Sequence, residues 1–333
     1  QKKNDFKIAS DFNILPNLSV NGSLNYIRTD TQGRPTLGYA GESVGQKFFQ
    51  WGQRQLDYDR LEEYKTSTGE QRTWNRISFD NPVPKYADNP YWTVYENTPE
   101  DVRSRLLGTL SVGWEIIEDL VLKGSVYGDL YGYTQETRIA VGSQSTSDYS
   151  ETKRDFQETN LEAILSYRKQ FDMVGFSVLG GANRRFETYS RLNASANGGL
   201  VVPGVYNLLN SSDAVTIGDF TREKQVNSVF AQASVDIAGL LFIDGSYRID
   251  WSSTLPEENN QYGYPSVSAS FLFSNLLELS WMSLGKVRLG WAEVGNDTDP
   301  YRVFATYAYN GNGAFGGTPR LFKPDGPVSY THL

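Results

Sequence analysis

The sequence contains no cysteine, and its single histidine, His332, stands next to the end of the 333 residues. The absence of cysteine excludes disulfides and thiolate metal sites. The near-absence of histidine excludes Ser-His-Asp, Cys-His and histidine-ligated zinc chemistry, because each of these needs an imidazole within the fold. We therefore expect neither covalent catalysis nor a cofactor.

Two further features are missing. The formal net charge is -8, which argues against a nucleic-acid partner, because phosphate binding needs a basic patch. No apolar run approaches the roughly 18 residues of a membrane helix. That absence does not exclude a membrane protein, because the strands of a transmembrane barrel alternate apolar and polar residues and leave a much weaker signal.

Aromatic residues and glycine, by contrast, are abundant, with 21 tyrosines, 7 tryptophans and 31 glycines. This composition suits a protein that places aromatic side chains at interfaces and on a wet binding surface. The first residues, Gln1-Lys2-Lys3, lead directly into a predicted strand rather than a signal peptide. We expect the chain to be an internal piece of a longer protein.

The clearest periodicity lies in residues 225–294. From Val229 to Ile237, apolar residues take every second position, with glutamine, serine and aspartate at 232, 234 and 236 between them. The same alternation returns at 241–251, 265–273 and 287–291. A period of two places one chemistry on each face of a strand. These segments therefore predict a four-stranded meander with one apolar and one polar face.

The rest of the chain repeats this scheme and gives about eleven predicted strands, the last at 302–309. Short turns alternate with long loops, and a helix or two is expected within 46–65. The predicted long loops cover residues 28–101, 139–153, 190–222, 252–262 and 295–301. Short turns on one side and long loops on the other are typical of an outer-membrane barrel. The predicted fold class is all-β, a partial transmembrane antiparallel β-barrel.

Several ordered motifs then show a family resemblance. They are 89–92 (NPYW), 202–208 (VPGVYNL), 248–256 (RIDWSSTLP), 264–268 (YPSVS), 286–292 (KVRLGWA) and 294–301 (VGNDTDPY). Together they resemble the SusC/RagA-type TonB-linked outer-membrane proteins, over nearly the whole chain from about residue 5 to residue 324. The combination is far more specific than any one of these motifs.

The resemblance implies a nutrient importer in the outer membrane of a Gram-negative bacterium. Members of the family form a plugged barrel of about 22 strands, work under a SusD-like surface lipoprotein, and draw energy from the TonB complex through an N-terminal segment. The implied cargo is an oligosaccharide, less commonly a peptide. On this view residues 1–327 are the central part of the barrel, without the plug and the TonB-contacting segment. Residues 328–333 fit neither a strand nor the family, and we expect them to be a non-native tail.

Two sets of residues are candidate ligand contacts. Tyr91, Trp92 and Tyr95 lie in the longest loop, where their rings would stack on sugar rings or, as the alternative, pack the loop on itself or on the partner. Arg248, Asp250 and Arg288 lie on the polar faces of their strands and would contact either the plug or the cargo. Trp251, on the apolar face, is expected in an aromatic girdle at the membrane interface.

Two acidic groups are candidates for other chemistry. Asp297 and Asp299 are weak candidates for calcium ligands, because the glycine and the distal glutamate of an EF-hand loop are missing. The preferred interpretation is an Asx-type turn that Pro300 ends. Glu257 and Glu258 are adjacent on a loop, which does not give the opposed carboxylates of a glycosidase. We expect both to be solvated loop carboxylates.

Three function classes therefore remain. The first is the TonB-linked importer. The second is a soluble β-rich carbohydrate-active enzyme or carbohydrate-binding module, and the third is an adhesive or structural surface barrel. A continuous apolar band about 25 Å tall around the strands would distinguish a membrane barrel from the soluble alternative.

Overall fold

A computed structural model describes residues 1–277 and 281–303, together with the backbone of 309–310 and 320–321. Ten strands form one antiparallel sheet in which each strand pairs with its neighbours along the chain. The strands are β1 (Lys2–Leu15), β2 (Leu18–Gln32), β3 (Glu100–Ile117), β4 (Leu120–Ile139), β5 (Asp148–Phe171), β6 (Val174–Leu200), β7 (Ser211–Ile237), β8 (Leu241–Ser252), β9 (Gln261–Phe271) and β10 (Val287–Ala292). A separate two-residue pair joins β11 (Tyr309–Asn310) to β12 (Arg320–Leu321).

The predicted all-β antiparallel sheet is confirmed, and its first ten strands appear in the predicted order. Most of the eleventh predicted strand, 302–309, and all of the predicted tail, 328–333, lie outside the described residues. Residues 301–303 form a turn.

Two predicted loops are wrong in extent. Residues 190–200 and 211–222 continue β6 and β7 in register, so the predicted loop at 190–222 shrinks to 201–210. Likewise β5 already begins at Asp148, within the predicted loop at 139–153. The alternation fades here because both faces are polar, whereas the backbone ladder continues regardless of side chains. The long strands therefore extend beyond the apolar part of the sheet.

The short turns lie where the sequence predicts them. Three of them contain residues with positive φ: Asp119 (70°) between β3 and β4, Asp172 (48°) between β5 and β6, and Ala238 (55°) with Gly239 (65°) between β7 and β8. Tight hairpins favour such residues, because positive φ matches the twist of the paired strands. All three turns lie at the same edge of the sheet.

The longest loop, 33–99, carries the helices. These are α1 (Val44–Gln46), a π-helical turn (Lys47–Trp51), α2 (Tyr58–Leu61) and α3 (Pro90–Tyr95). Single 3₁₀ turns occur at Leu208–Asn210, Glu257–Asn259 and Phe273–Asn275. The expected helices within 46–65 are therefore confirmed. None of the helices in the described part of the chain has the length and apolarity that a membrane crossing requires.

Every strand of the sheet contributes large apolar side chains to the same face. Examples in register are Leu110 of β3 opposite Val126 of β4, and Val229 of β7 opposite Ile249 of β8. Those that are exposed include Phe6, Leu24, Leu110, Leu122, Leu165, Val174, Val229, Ile243, Val267 and Leu289. Exposed apolar residues that extend over ten strands form the continuous band expected of a membrane barrel.

The height of this band follows from strand geometry. On β7 it extends from Val229 to Ile237, a length of about 27 Å at roughly 3.4 Å per residue. A tilt of about 40° reduces this to a height of roughly 21 Å, close to the apolar band of about 25 Å in outer-membrane barrels. We call this the outer face and the opposite one the polar face.

The band predicts a face-specific response to charge. Ala233→Arg, near the middle of the band on β7, should destabilise the full-length barrel by about 2–4 kcal/mol, because arginine would enter the hydrocarbon core. Gln232→Arg, one residue away on the polar face, is the matched control and should change stability little. Urea titration in lipid vesicles measures both. Equal losses would contradict the assignment of the faces.

Candidate functional site

The polar face carries a row of aromatic and basic residues that pair across five strands. The row comprises Arg105 of β3, Tyr131 of β4, Phe156 of β5, Tyr189 of β6 and Arg222 of β7. The next row towards the long loops comprises Arg103, Tyr133, Arg154, Arg191 and Phe220. We call these ten residues the aromatic–arginine patch.

Stacking holds the patch together. The guanidinium carbon of Arg103 lies 4.7 Å from the Tyr131 ring centroid, and that of Arg154 lies 5.3 Å from Tyr133. Tyr131 in turn stacks on Phe156 at 5.2 Å. Cation–π contacts of this kind contribute about 0.5–2 kcal/mol each, depending on hydration.

The same pattern continues on β6 and β7. Arg222 lies 5.0 Å from the Tyr189 ring and Arg191 lies 5.9 Å from the Phe220 ring. The patch is thus one connected surface from β3 to β7 rather than a set of isolated pairs.

On β6 and β7 the patch lies beyond the apolar band. Tyr189 follows Ala182, a band residue of β6, by about 24 Å along the strand. Beside the patch the outer face of β6 and β7 is polar, with Thr188 and Ser190 on β6 and Glu223 on β7, whereas Leu106 of β3 and Leu130 of β4 keep it apolar on those strands. The β6 and β7 part of the patch therefore lies past the apolar band, on the side of the long loops.

The sequence predictions missed this patch. They place Arg191, Phe220 and Arg222 in a loop, and only strand register brings these residues beside others from β3, β4 and β5. Alternate positions of basic and aromatic residues at 189–191 and 220–222 are the signal that indicates strands in this stretch.

The predicted ligand contacts on the meander occupy the polar face. Arg248 donates to the carboxylate of Asp250 (Nε to Oδ1, 2.7 Å) and to Ser228 Oγ at 2.7 Å. Arg288 on β10 is exposed and forms no ion pair with any other residue in the described ranges. Arg248 and Asp250 thus neutralise one another, whereas among the described residues no carboxylate neutralises Arg288. Contact of these residues with cargo or plug remains a prediction.

The segment 293–300 folds back over the polar face. The Asp297 carboxylate accepts from Lys224 Nζ and from Ser252 Oγ, each at 2.5 Å. The two charged side chains are 7% and 13% exposed. Farther along, Asp299 lies 3.3 Å from an Arg222 guanidinium nitrogen. Both candidate metal ligands therefore meet cations of β7.

These contacts correct the predicted Asx-type turn. Residues 293–299 adopt irregular backbone and a turn begins only at Pro300. The physical reason is the long-range ion pair, which draws Asp297 towards β7 and keeps the segment open. A calcium loop is disfavoured because an ammonium group already neutralises this carboxylate. In the described ranges, histidine and acidic side chains nowhere gather in threes at metal-binding distances.

The environment of Asp297 also sets its protonation. Burial raises the pKa of Asp297, but hydrogen bonds from Lys224 and Ser252 outweigh burial and hold the pKa below its ordinary value. The carboxylate is therefore ionised, and the ion pair intact, across the neutral and mildly acidic range.

The aromatic residues of the long loop divide between packing and exposure. Trp92 is 1% exposed and its indole nitrogen donates to Ser143 Oγ at 2.9 Å. It packs the loop against the β4–β5 connection, which agrees with the packing alternative and leaves no ring face accessible. Tyr95 is 55% exposed, and Tyr91 is partly exposed with its ring edge-on to Phe48. Ligand contact by these two tyrosines remains a prediction.

A buried polar cluster fixes that loop. Lys47 Nζ lies 3.3 Å from Asp88 Oδ2 and donates to Thr93 Oγ1 at 2.7 Å. Asp88 Oδ1 accepts from Gln71 at 2.9 Å and from the Gln144 backbone at 2.6 Å. Because a buried charge is costly unless paired and hydrogen-bonded, this saturated network favours one loop conformation.

The two other acidic candidates, Glu257 and Glu258, are exposed in a 3₁₀ turn. Their adjacency and exposure agree with solvated loop carboxylates.

Similarity to known proteins is found in the fold rather than in the sequence. No protein-family model matches the sequence, and no curated protein matches it significantly. Solved structures do match. A chain in the structure of the RagAB peptide transporter is 14% identical, with a TM-score of 0.76 over 98% of this chain. The RagAB peptide importer in its open-open state is 16% identical, with a TM-score of 0.72 over 96% of this chain.

The chain therefore shares its fold with part of the RagAB transporter chains. This confirms the resemblance to SusC/RagA-type proteins at the level of the fold. The chain spans 36% of the length of the RagAB chain that it matches. Ten strands in one open sheet agree with such a share of a larger closed barrel.

The attachment of segment 293–300 to the polar face should depend on pH. In the full-length protein with a spin label at a cysteine replacing Thr298, Asp297→Asn should release the segment, because it removes one partner of a buried ion pair, at about 3 kcal/mol. Since the pKa of Asp297 is lowered, the unmodified segment should stay immobile above about pH 4. It should loosen only as the pH falls through that lowered pKa.

Asp299→Asn is the control, because this carboxylate is 61% exposed and an exposed pair contributes only about 0–1 kcal/mol. Equal label mobility in both variants would show that the Lys224–Asp297 pair does not hold the segment.

Proposed function

We propose that this chain forms the central wall of a TonB-dependent importer in the outer membrane of a Gram-negative bacterium. The continuous apolar outer face is the observation that carries the proposal, since exposed apolar rows on all ten strands need a lipid environment. The fold shared with the RagAB peptide transporter supports transport rather than catalysis.

The cargo proposed is an oligosaccharide, taken up with a SusD-like surface lipoprotein and energised by the TonB complex through a segment outside these 333 residues. The resemblance to SusC/RagA-type proteins supports this choice. A peptide cargo is the second candidate, because the RagAB proteins with the matching fold are a peptide transporter and importer.

The rival classes have less support. A soluble carbohydrate-active enzyme needs two opposed carboxylates in a cleft, whereas Glu257 and Glu258 are adjacent and exposed. An adhesive or structural barrel does not need a binding surface on its polar face. The aromatic–arginine patch on that face therefore favours the importer.

Uptake by whole cells tests the proposal. Cells that carry the full-length gene should accumulate labelled oligosaccharides from a size-matched panel, and deletion of the gene or of TonB should abolish this, because transport needs both barrel and energy. A peptide panel run in parallel identifies the second candidate. Binding without any TonB-dependent uptake of either panel would contradict the importer function.

A further inference from the structure

The second row of the aromatic–arginine patch places three positive charges side by side. Arg154 of β5 and Arg191 of β6 are direct cross-strand partners, and Arg103 of β3 lies in the same row with Tyr133 between. Like charges directly opposite one another destabilise a sheet. This arrangement therefore costs stability unless an anion lies over it.

The neighbouring carboxylates are engaged elsewhere. The Asp101 carboxylate accepts hydrogen bonds from Nε and Nη2 of Arg34, at 2.8 and 2.9 Å. Asp129 forms an ion pair with Arg105. Glu187 lies 3.9 Å from Arg222. Within the described ranges, Arg103, Arg154 and Arg191 take part in no ion pair.

Stacking also fixes how these arginines present themselves. The guanidinium carbons lie over ring faces at 4.7, 5.3 and 5.9 Å, and a guanidinium that stacks flat on a ring keeps its N–H donors at its planar edge. That edge matches a carboxylate or sulfate in a two-point hydrogen bond. Because the arginines cover the rings, the recognition chemistry of this row is anionic rather than ring stacking on neutral sugars.

The local charge around this row also favours an anionic ligand. The chain carries a net charge of -8, yet this surface, on the long-loop side of the wall, is positive. A local positive surface concentrates anions and raises their rate of association.

We propose that this row is a binding subsite for anionic groups, and that the cargo is an acidic oligosaccharide that carries carboxylates or sulfates. The inference rests on the proposed import function and specifies the cargo class. Arg103, Arg154 and Arg191 form two-point hydrogen bonds to successive acidic groups, while Tyr133 and Phe220 hold their neighbouring guanidinium groups in place.

The test uses the purified full-length protein with its partner lipoprotein. Oligogalacturonate is the acidic probe, a neutral gluco-oligosaccharide of equal length is the reference, and oligoglutamate is the peptide probe. Arg154→Gln and Arg191→Gln should each weaken oligogalacturonate binding by about tenfold or more, the usual effect of losing a charged hydrogen bond. Binding of this probe should also fall with rising salt, less steeply in the variants.

Arg184→Gln is the matched control, because Arg184 is an exposed arginine of β6 on the outer face and should leave binding unchanged. Arg154→Lys and Arg191→Lys keep the charge without the planar fork, and should retain part of the affinity. These conservative variants separate loss of the subsite from loss of the fold.

The outcomes separate the inferences. Equal oligogalacturonate affinity in the patch variants and the Arg184→Gln control overturns the subsite, as does a preference for the neutral probe. Binding of oligoglutamate alone, dependent on Arg154, overturns the glycan assignment and favours an acidic peptide. TonB-dependent uptake of a neutral oligosaccharide keeps the importer and refutes the anionic cargo. Arginine-dependent binding of oligogalacturonate without uptake keeps the subsite and refutes the importer.

Discussion

Backbone hydrogen bonding between neighbouring strands is the constraint on which the rest of the structure depends. In a hydrocarbon environment every backbone N–H and C=O needs an internal partner, and a continuous antiparallel ladder supplies it. Once the ladder is continuous, side chains alternate between two faces. Lipid then requires apolar side chains on one face, and the other is free to be polar.

The same ladder also explains where the specific surface lies. β5, β6 and β7 continue past the apolar band, so residues far apart in sequence meet there in register. The aromatic–arginine patch results from this extension. The 33–99 loop is fixed by a buried polar network around Asp88, and segment 293–300 is fixed by Asp297. Electrostatic contacts thus organise the part of the protein that lies outside the membrane.

The sequence predicts the fold well where one face meets lipid. The alternation at 229–237 identifies its strand, and the short turns around Asp119, Asp172 and Ala238 lie where expected. It fails where both faces are polar, because the 190–222 stretch then has no apolar period although its backbone stays paired. Strand continuity there depends on the neighbouring strand rather than on local composition.

The candidate site is predictable only in part for the same reason. The polar-face positions of Arg248 and Asp250 follow from alternation alone, whereas the pairing of Asp297 with Lys224, 73 residues away, needs the register of the sheet, which a single sequence without partner strands does not contain.

The environment of successive residues along β7 in the full-length protein decides whether one face of this wall meets lipid. Spin labels at single cysteines from 229 to 237, with the barrel in a lipid bilayer, report collisions with oxygen in lipid and with a water-soluble nickel complex. We predict that oxygen dominates at odd positions and that nickel contacts, where present, fall at even ones. Equal oxygen and nickel collision rates at all nine positions, or oxygen dominating at even positions, would contradict a wall with one lipid-facing and one polar face.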